Sequence, residues 1–326
     1  MKRILKYLMY LFIIILIGLT LVLIYVKTML PSVGEPSDMK VAMTPENIAR
    51  GQYLANHVSV CIDCHSTRDW TKFAGPPMMG TEGKGGEVFD QSLGFPGKYV
   101  ANNITPYHLK DWTDGEILRA ITTGVSKDGR ALFPLMPYHN FGQMDRKDLE
   151  SIIAYIRTLP PIENKTEVSH SDFPMNFIIN TMPQKANLST MPSKSDMLAY
   201  GGYLVNAAGC KNCHTKEEKG KVVGEPFAGG FVFRFPDGSV VHSANITPDK
   251  HTGIGSWTKG EFISHFKMYA DSTYKPITVQ TGDFQTPMPW TMFAGMTEED
   301  LAAIYTYLQS LKPIENSIIK FQPAQK

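Results

Sequence analysis

All four cysteines of this 326-residue chain fall in two five-residue stretches, Cys61-Ile62-Asp63-Cys64-His65 and Cys210-Lys211-Asn212-Cys213-His214. Two thiols three positions apart, followed directly by an imidazole, suit one chemistry above others. Each thiol can form a thioether to one vinyl group of a porphyrin, and the histidine then reaches the iron from one side. The pattern predicts two covalently attached haem c groups, with His65 and His214 as proximal iron ligands. A redox disulfide would leave a histidine that follows each pair without a role. A four-cysteine zinc site would have to join pairs 149 residues apart and ignore both histidines. Structural disulfides would not require this pattern.

A proximal histidine leaves one axial position to fill. Two proline-stiffened stretches offer soft donors, Phe133-Pro134-Leu135-Met136-Pro137-Tyr138 and Thr286-Pro287-Met288-Pro289-Trp290. Thioether sulfur is a known sixth ligand in c-type haem proteins, and proline restricts the backbone that must present it. Met136 and Met288 are therefore the expected axial ligands. A second methionine follows eight residues after each, Met144 and Met296. With Asp145 and Thr297 as helix N-caps, each would be N′ and would pack on Leu149 or Leu301 at N4, a hydrophobic staple. His139 competes with Met136, but its counterpart is Thr291. His57, His108, His170, His242, His251 and His265 have no repeated partner and read as surface or internally satisfied residues.

These stretches belong to an internal repeat. Ala49-x-Gly51-x-Tyr53-Leu54-x-Asn56 matches Ala199-x-Gly201-x-Tyr203-Leu204-x-Asn206. Asn103-Ile104-Thr105-Pro106 matches Asn245-Ile246-Thr247-Pro248, and Trp112-Thr113 matches Trp257-Thr258. Asp148-Leu149 matches Asp300-Leu301, and Pro161-Ile162-Glu163-Asn164 matches Pro313-Ile314-Glu315-Asn316. The repeat gives domains at 40–165 and 196–316, a connector at 166–195 and a tail at 317–326. Apolar residues between Phe173 and Ile179 predict a connector that lies against a domain. Thr44-Pro45-Glu46 predicts a helix start. Leu149, Ile152, Ile153 and Ile156, and likewise Leu301, Ile304, Tyr305, Leu308 and Leu311, predict one-faced helices. Middle helices are expected over 112–121 and 257–269. Strand content should be minor, with Pro236-Asp237-Gly238-Ser239 as a hairpin turn.

The stretch from Leu8 to Val26 is apolar throughout except for Thr20 and two tyrosines. At helical rise it is about 28 Å long, close to the hydrocarbon thickness of a bilayer. It reads as an uncleaved single-pass anchor within 1–30 rather than a signal peptide. Lys2, Arg3 and Lys6 precede it, against Lys27 after it, which leaves the N-terminus in the cytoplasm. Formal net charge is +1, and without those four basic residues 28 Lys and Arg face 31 Asp and Glu. No large basic patch points to nucleic acid.

Together, the two C-x-x-C-H motifs, the Asn-Ile-Thr-Pro loops with the Trp-Thr pairs after them, and the Met-Pro loops resemble the multihaem c-type cytochromes of bacterial dehydrogenases. Those cytochromes are membrane-anchored subunits for periplasmic alcohol, aldehyde or gluconate oxidation. The resemblance covers most of 40–316. It implies a mainly α fold, with an N-terminal transmembrane helix and two tandem class I cytochrome c domains. Many relatives carry three haems, whereas this chain has two motifs. In class I domains the first and last helices cross closely, which predicts Gly51 and Gly201 against the residues near Tyr155 and Tyr307. Asn103, Thr105 and Trp112, with Asn245, Thr247 and Trp257, are candidates to support the haem propionates, ordinary loop packing being the alternative.

The expected role is electron transfer in the periplasm, between a dehydrogenase or other donor and a downstream cytochrome or oxidase of the respiratory chain. The chain would sit in the bacterial inner membrane with its haem domains on the periplasmic side and lipid around the anchor. No activity of its own is expected. A dihaem peroxidase would need one open iron position, which two matching Met loops oppose. A thiosulfate-oxidising enzyme with cysteine ligation would need a fifth cysteine. A haem-based sensor would need a signalling segment, which none of these residues suggests. A dihaem subunit of a terminal oxidase would differ in partner rather than in chemistry.

Overall fold

A computed structural model of the chain describes residues 2–324. It is mainly helical, with short antiparallel strands. Lys2–Thr28 forms one helix, with an 18-residue stretch of mean hydropathy 2.8, and none of its residues is buried. It is long and apolar enough to cross a membrane.

Each repeat opens and closes on a helix, and the two cross. In the first half the opening helix is Pro45–Tyr53 and the closing helix Arg146–Thr158. In the second they are Met197–Ala207 and Glu298–Gln309. Thr44 caps the first opening helix through the Asn47 N–H, with Pro45 in its first turn, as expected. The crossings depend on glycine. A Cβ on Gly51 would lie 1.8 Å from the Ser151 carbonyl oxygen and 2.9 Å from Tyr155 Cβ. On Gly201 it would lie 2.0 Å from the Ala303 oxygen and 3.0 Å from Tyr307 Cβ. Both glycines therefore face the residues the sequence predicts.

The middle helices, Asp114–Thr123 and Lys259–Lys267, begin two residues later than expected. The reason is a capping box. Thr113 and Thr258 each take the N-cap, with Glu116 or Glu261 returning the bond.

One irregularity is written in the repeat offset. Gly51 precedes Cys61 by ten residues, but Gly201 precedes Cys210 by nine. The extra residue is absorbed by a π-helical turn over Leu54–Val58, closed by the Ser59 N–H on the Leu54 oxygen at 2.7 Å. The chain then enters the first motif through Val60 at φ 43°, where the second half uses Gly209 at φ 66°. A β-branched residue in this region is strained.

Each half carries a three-stranded antiparallel sheet. Val88–Phe89 pairs with Gly97–Val100, which pairs with His170–Ser171. Val232–Arg234 pairs with Val240–His242, which pairs with Phe321–Gln322. The predicted turn joins the strands of the second sheet, with Gly238 at φ 88°. The third strand of each sheet comes from chain assigned to the connector and to the tail. The apolar piece does not pack as expected, since Phe173 and Ile178 are 80% and 43% exposed, and the connector is tied to protein further on. Met191 N–H donates to Asp145 at 2.8 Å, and Asn187 N–H to the Gly142 oxygen at 2.8 Å.

The halves meet through reciprocal bonds. Tyr203 donates to Asp148 at 2.6 Å, and its counterpart Tyr53 donates to Asp300 at 2.5 Å. Both carboxylates are buried. Asp148 also takes both nitrogens of Arg50, at 2.9 and 2.8 Å. Tyr200 stands where the repeat has Arg50, and it donates to Asp300 at 3.0 Å. Burial first, and then the carboxylate each faces, hold the Tyr53 and Tyr203 phenols above their ordinary value.

Candidate functional site

The eight residues expected to hold haem line one cavity of about 2660 Å³: Cys61, Cys64, His65 and Met136 from the first half, Cys210, Cys213, His214 and Met288 from the second. Each C-x-x-C stretch is a single helical turn, and the histidine follows it as C-cap. His65 Nδ1 lies 2.7 Å from the Asn102 oxygen, and His214 Nδ1 lies 2.8 Å from the Ala244 oxygen. A carbonyl can only accept, so each Nδ1 carries the proton and each Nε2 keeps a lone pair. Burial lowers both imidazole pKa values, which favours the neutral, metal-binding form. This donor set fits a haem iron.

Burial pushes Cys61, Cys64 and Cys210 up to about 12. Among the described residues no group of three or more Cys, His, Asp or Glu is arranged to hold a metal ion. The two cysteine pairs do not combine.

The two methionine loops share one backbone. Pro137 has φ −76° and ψ 58°, and Pro289 has φ −80° and ψ 65°. The Met136 oxygen accepts from Tyr138 N–H at 2.7 Å, and the Met288 oxygen accepts from Trp290 N–H at 2.8 Å. These are inverse γ-turns centred on proline. Each opens a one-turn helix, Tyr138–Phe141 or Trp290–Phe293. Met136 and Met288 are only half-buried and face the cavity. Met144 and Met296 are fully buried in the core with Leu149 and Leu301, as the staple requires.

The conserved-looking loop residues divide. The Asn103 amide donates to the Ile162 and Asn164 oxygens at 2.8 and 3.1 Å, and its Oδ1 accepts from Thr105 N–H and Oγ1. Asn245 donates to the Ile314 oxygen at 2.7 Å, and its Oδ1 accepts from Thr247. Both pairs fasten the chain after the closing helix, which is the packing alternative. Trp112 and Trp257 line the cavity, and no acceptor for either indole N–H lies among the described residues.

Three of the histidines are half-buried rather than on the surface: His139, His242 and His265 line the cavity, as do the exposed His108 and His170. His108 leans on Trp112, and His265 packs edge-on to Trp257 and Trp290. His57 sits between the halves, with Nδ1 2.9 Å from the Met292 oxygen. Their environment comes from tertiary packing, so no repeat could have flagged them.

One cluster at the cavity wall escapes sequence reasoning. Arg68 pairs with Asp63 at 3.1 Å, lies 4.1 Å over the Trp70 ring and donates to the Gly75 and Ala74 oxygens. Trp70 Nε1 donates to Glu87 at 2.6 Å. Asp63 is the variable residue inside the first motif, and burial raises its carboxyl to about 6 against the pull of Arg68. Asn212 replaces it in the second motif, and that difference was the available signal.

The comparisons agree with this donor set. The cytochrome c family model matches residues 198–312. The cytochrome c subunit of an alcohol dehydrogenase (quinone) from Gluconacetobacter polyoxogenes is 26% identical over 298 residues, covering 85% of this chain and 59% of the relative. The gluconate 2-dehydrogenase cytochrome c subunit of Pantoea cypripedii is 24% identical over 282 residues, 81% of this chain and 59% of the relative. A diheme cytochrome c-type protein of Cereibacter sphaeroides is 24% identical over 271 residues, 78% of this chain and 83% of the relative. The chain thus spans about three fifths of the length of the dehydrogenase subunits it matches. The fold and the imidazole donors agree with these matches: residues 198–312 are similar to cytochrome c domains, a family that implies covalently bound haem c.

Proposed function

We propose that this chain is a dihaem c-type cytochrome that carries electrons from a dehydrogenase toward the respiratory chain. Cys61, Cys64 and His65 hold one haem and Cys210, Cys213 and His214 the other, with Met136 and Met288 as sixth ligands. Haem c supplies an iron that cycles between ferrous and ferric, and methionine ligation raises its potential relative to more basic ligands. The protein's part is to exclude water and fix the donors. Each Nδ1–H bond to a backbone carbonyl orients the imidazole, and each proline γ-turn presents a thioether to the cavity.

The observation that carries this reading is duplication: two repeats supply the same His and Met donors to one cavity. Two tandem class I cytochrome c domains follow from it. Their ranges, 40–165 and 196–316, would each gain the third strand of their sheet. The apolar helix Lys2–Thr28 supports a single-pass inner-membrane anchor, and its basic N-terminal flank supports haem domains in the periplasm. The dehydrogenase partner rests on the names of the relatives.

Purification in mild detergent, haem counting and a redox titration test the proposal. Two covalent haems per chain, two one-electron waves and a co-purifying dehydrogenase are expected. Serine at Cys61 and Cys64 together should leave one haem. Retention of both, or peroxide turnover by the isolated chain, would refute the reading.

A further inference from the structure

The two motifs differ in what covers them. Ile62 and Asp63, inside the first, are 1% and 4% exposed. Lys211, Asn212 and Cys213, inside the second, are all exposed, although Asn212 exchanges amide hydrogen bonds with Asn140 of the first half at 3.0 and 3.3 Å. Asp63 is covered from within its own half, by Arg68 at 3.1 Å, and an asymmetric interface lies next to it. The offset between repeats grows from 145 residues at Trp112 and Trp257 to 152 at Met136 and Met288, so the second half has a longer loop before its methionine. That loop captures the chain that follows the first motif. Phe73 N–H donates to the Ile277 oxygen at 2.8 Å, Val279 N–H to the Thr71 oxygen at 2.9 Å, and Ala74 N–H to Gln285 Oε1 at 2.8 Å.

The chain that follows the second motif has no such host. It forms a hairpin, Glu217–Glu218 against Lys221–Val222, and among the described residues no hydrogen bond ties it to the first half. Lys216 pairs with Glu218 at 2.9 Å. Glu217 is half-buried at the cavity wall, and Glu225 is exposed at the hairpin base. Lys211, Lys219 and Lys221 are exposed and have no ion partner among the described residues. Val222 and Val223 beside them are 59% and 53% exposed. The anchor, by contrast, adjoins the first half. Its Lys27 lies 5.7 Å over the ring of Phe177, in the connector that supplies the strand His170–Ser171 to the first sheet.

We infer that the second motif and its hairpin are the port through which this chain exchanges electrons with a soluble redox partner that presents an acidic docking face. The inference rests on the dihaem reading above. A small apolar patch rimmed by unpaired charge suits a transient contact, in which charge sets encounter rate more than affinity. Lys211, Lys219 and Lys221 would meet carboxylates, and Val222 and Val223 would exclude water beside Cys213. The first site, whose motif is buried, would exchange electrons mainly through the second.

The test uses the full chain in detergent, reduced with dithionite, and an anionic oxidant as probe. One electron leaves the protein for each hexacyanoferrate(III) reduced to hexacyanoferrate(II). In a Met136→His background the sulfur–iron charge-transfer band belongs to the second site alone, so the two sites are followed separately. Because Met136→His lowers the potential of the first site, the order in which the two irons turn ferric follows potential as well as access, and the charge dependence of the rate is the readout. With Lys211→Glu, Lys219→Glu and Lys221→Glu combined, the rate should fall roughly 3- to 30-fold at low salt and recover at high salt. A cationic cobalt(III) oxidant should show the reverse. Rates unchanged within about twofold on charge reversal would overturn the inference, as would a dimer of this chain sealed through the hairpin, seen as a doubled mass. If the chain holds fewer than two haems, or the band keeps full intensity in Met136→His, the dihaem reading itself has failed instead.

Discussion

At the scale of single residues, chemistry and packing separate cleanly within one residue type. Met136 and Met144 stand eight positions apart, yet one faces the cavity and the other is fully buried in the core. Met136→His should keep both haems attached and lower the potential of one, read by redox titration together with loss of half the sulfur–iron band. Met288→His should do the same to the other. Met144→Ala should leave the spectra unchanged and cost about 2–5 kcal/mol in stability, the usual range for a buried Met cut to Ala. Thermal melts that rank Met136→Ala as the more damaging would reverse the assignment. The Met144 side chain also accepts from Ser59 Oγ at 3.9 Å, a contact that belongs to its structural role.

At the scale of elements, the helix crossings and the anchor carry the argument. Gly51→Ala removes a helix penalty of about 1 kcal/mol. It also sets a methyl 1.8 Å from a backbone oxygen, which must move. Overpacking of this kind costs about 1–3 kcal/mol, more where backbone has to yield. The expected outcome is net destabilisation, with Gly201→Ala behaving alike. Denaturant midpoints at or above the parent value would mean that the crossings are looser. Deleting residues 1–30 behind a cleavable export signal should yield a water-soluble protein with both haems. Product that stays with the membrane would assign attachment to another segment.

At the scale of the whole molecule, the halves are locked by a buried exchange of tyrosines and aspartates. Tyr53→Phe would leave Asp300 with Tyr200 as its one side-chain hydroxyl donor, and Tyr203→Phe would leave Asp148 with Arg50. Losing a hydrogen bond to a buried charged group costs about 1.5–3 kcal/mol. Calorimetry should show the larger loss for Tyr53→Phe, because among the described residues no cation pairs with Asp300, whereas Arg50 pairs with Asp148. In the double variant the single transition should broaden or split as the halves uncouple. A sharp, unshifted transition would show that the polar exchange contributes little to their union.

What the sequence determined by itself was everything local. Fixed spacing set the C-x-x-C-H turns, the Thr caps, the Met-Pro turns and the helix faces, because each depends on residues within a few positions of one another. The repeat added a second, independent reading of every such feature, and even the π-helical turn was visible as one extra residue before Cys61. The third strands of the sheets were not legible, since two-residue strands have no period and pair with chain about seventy to eighty residues away. The Trp-Thr match alone puts the start of the middle helices two residues early, because the capping Thr113 and Thr258 lie outside the helices they begin. Only the tertiary structure decided that both donor sets share one cavity, that Asn103 and Asn245 are already satisfied, and that the first motif is covered while the second is open. Those outcomes depend on how two similar halves pack, and packing of halves is fixed by a longer loop and a few buried pairs that no local pattern announces.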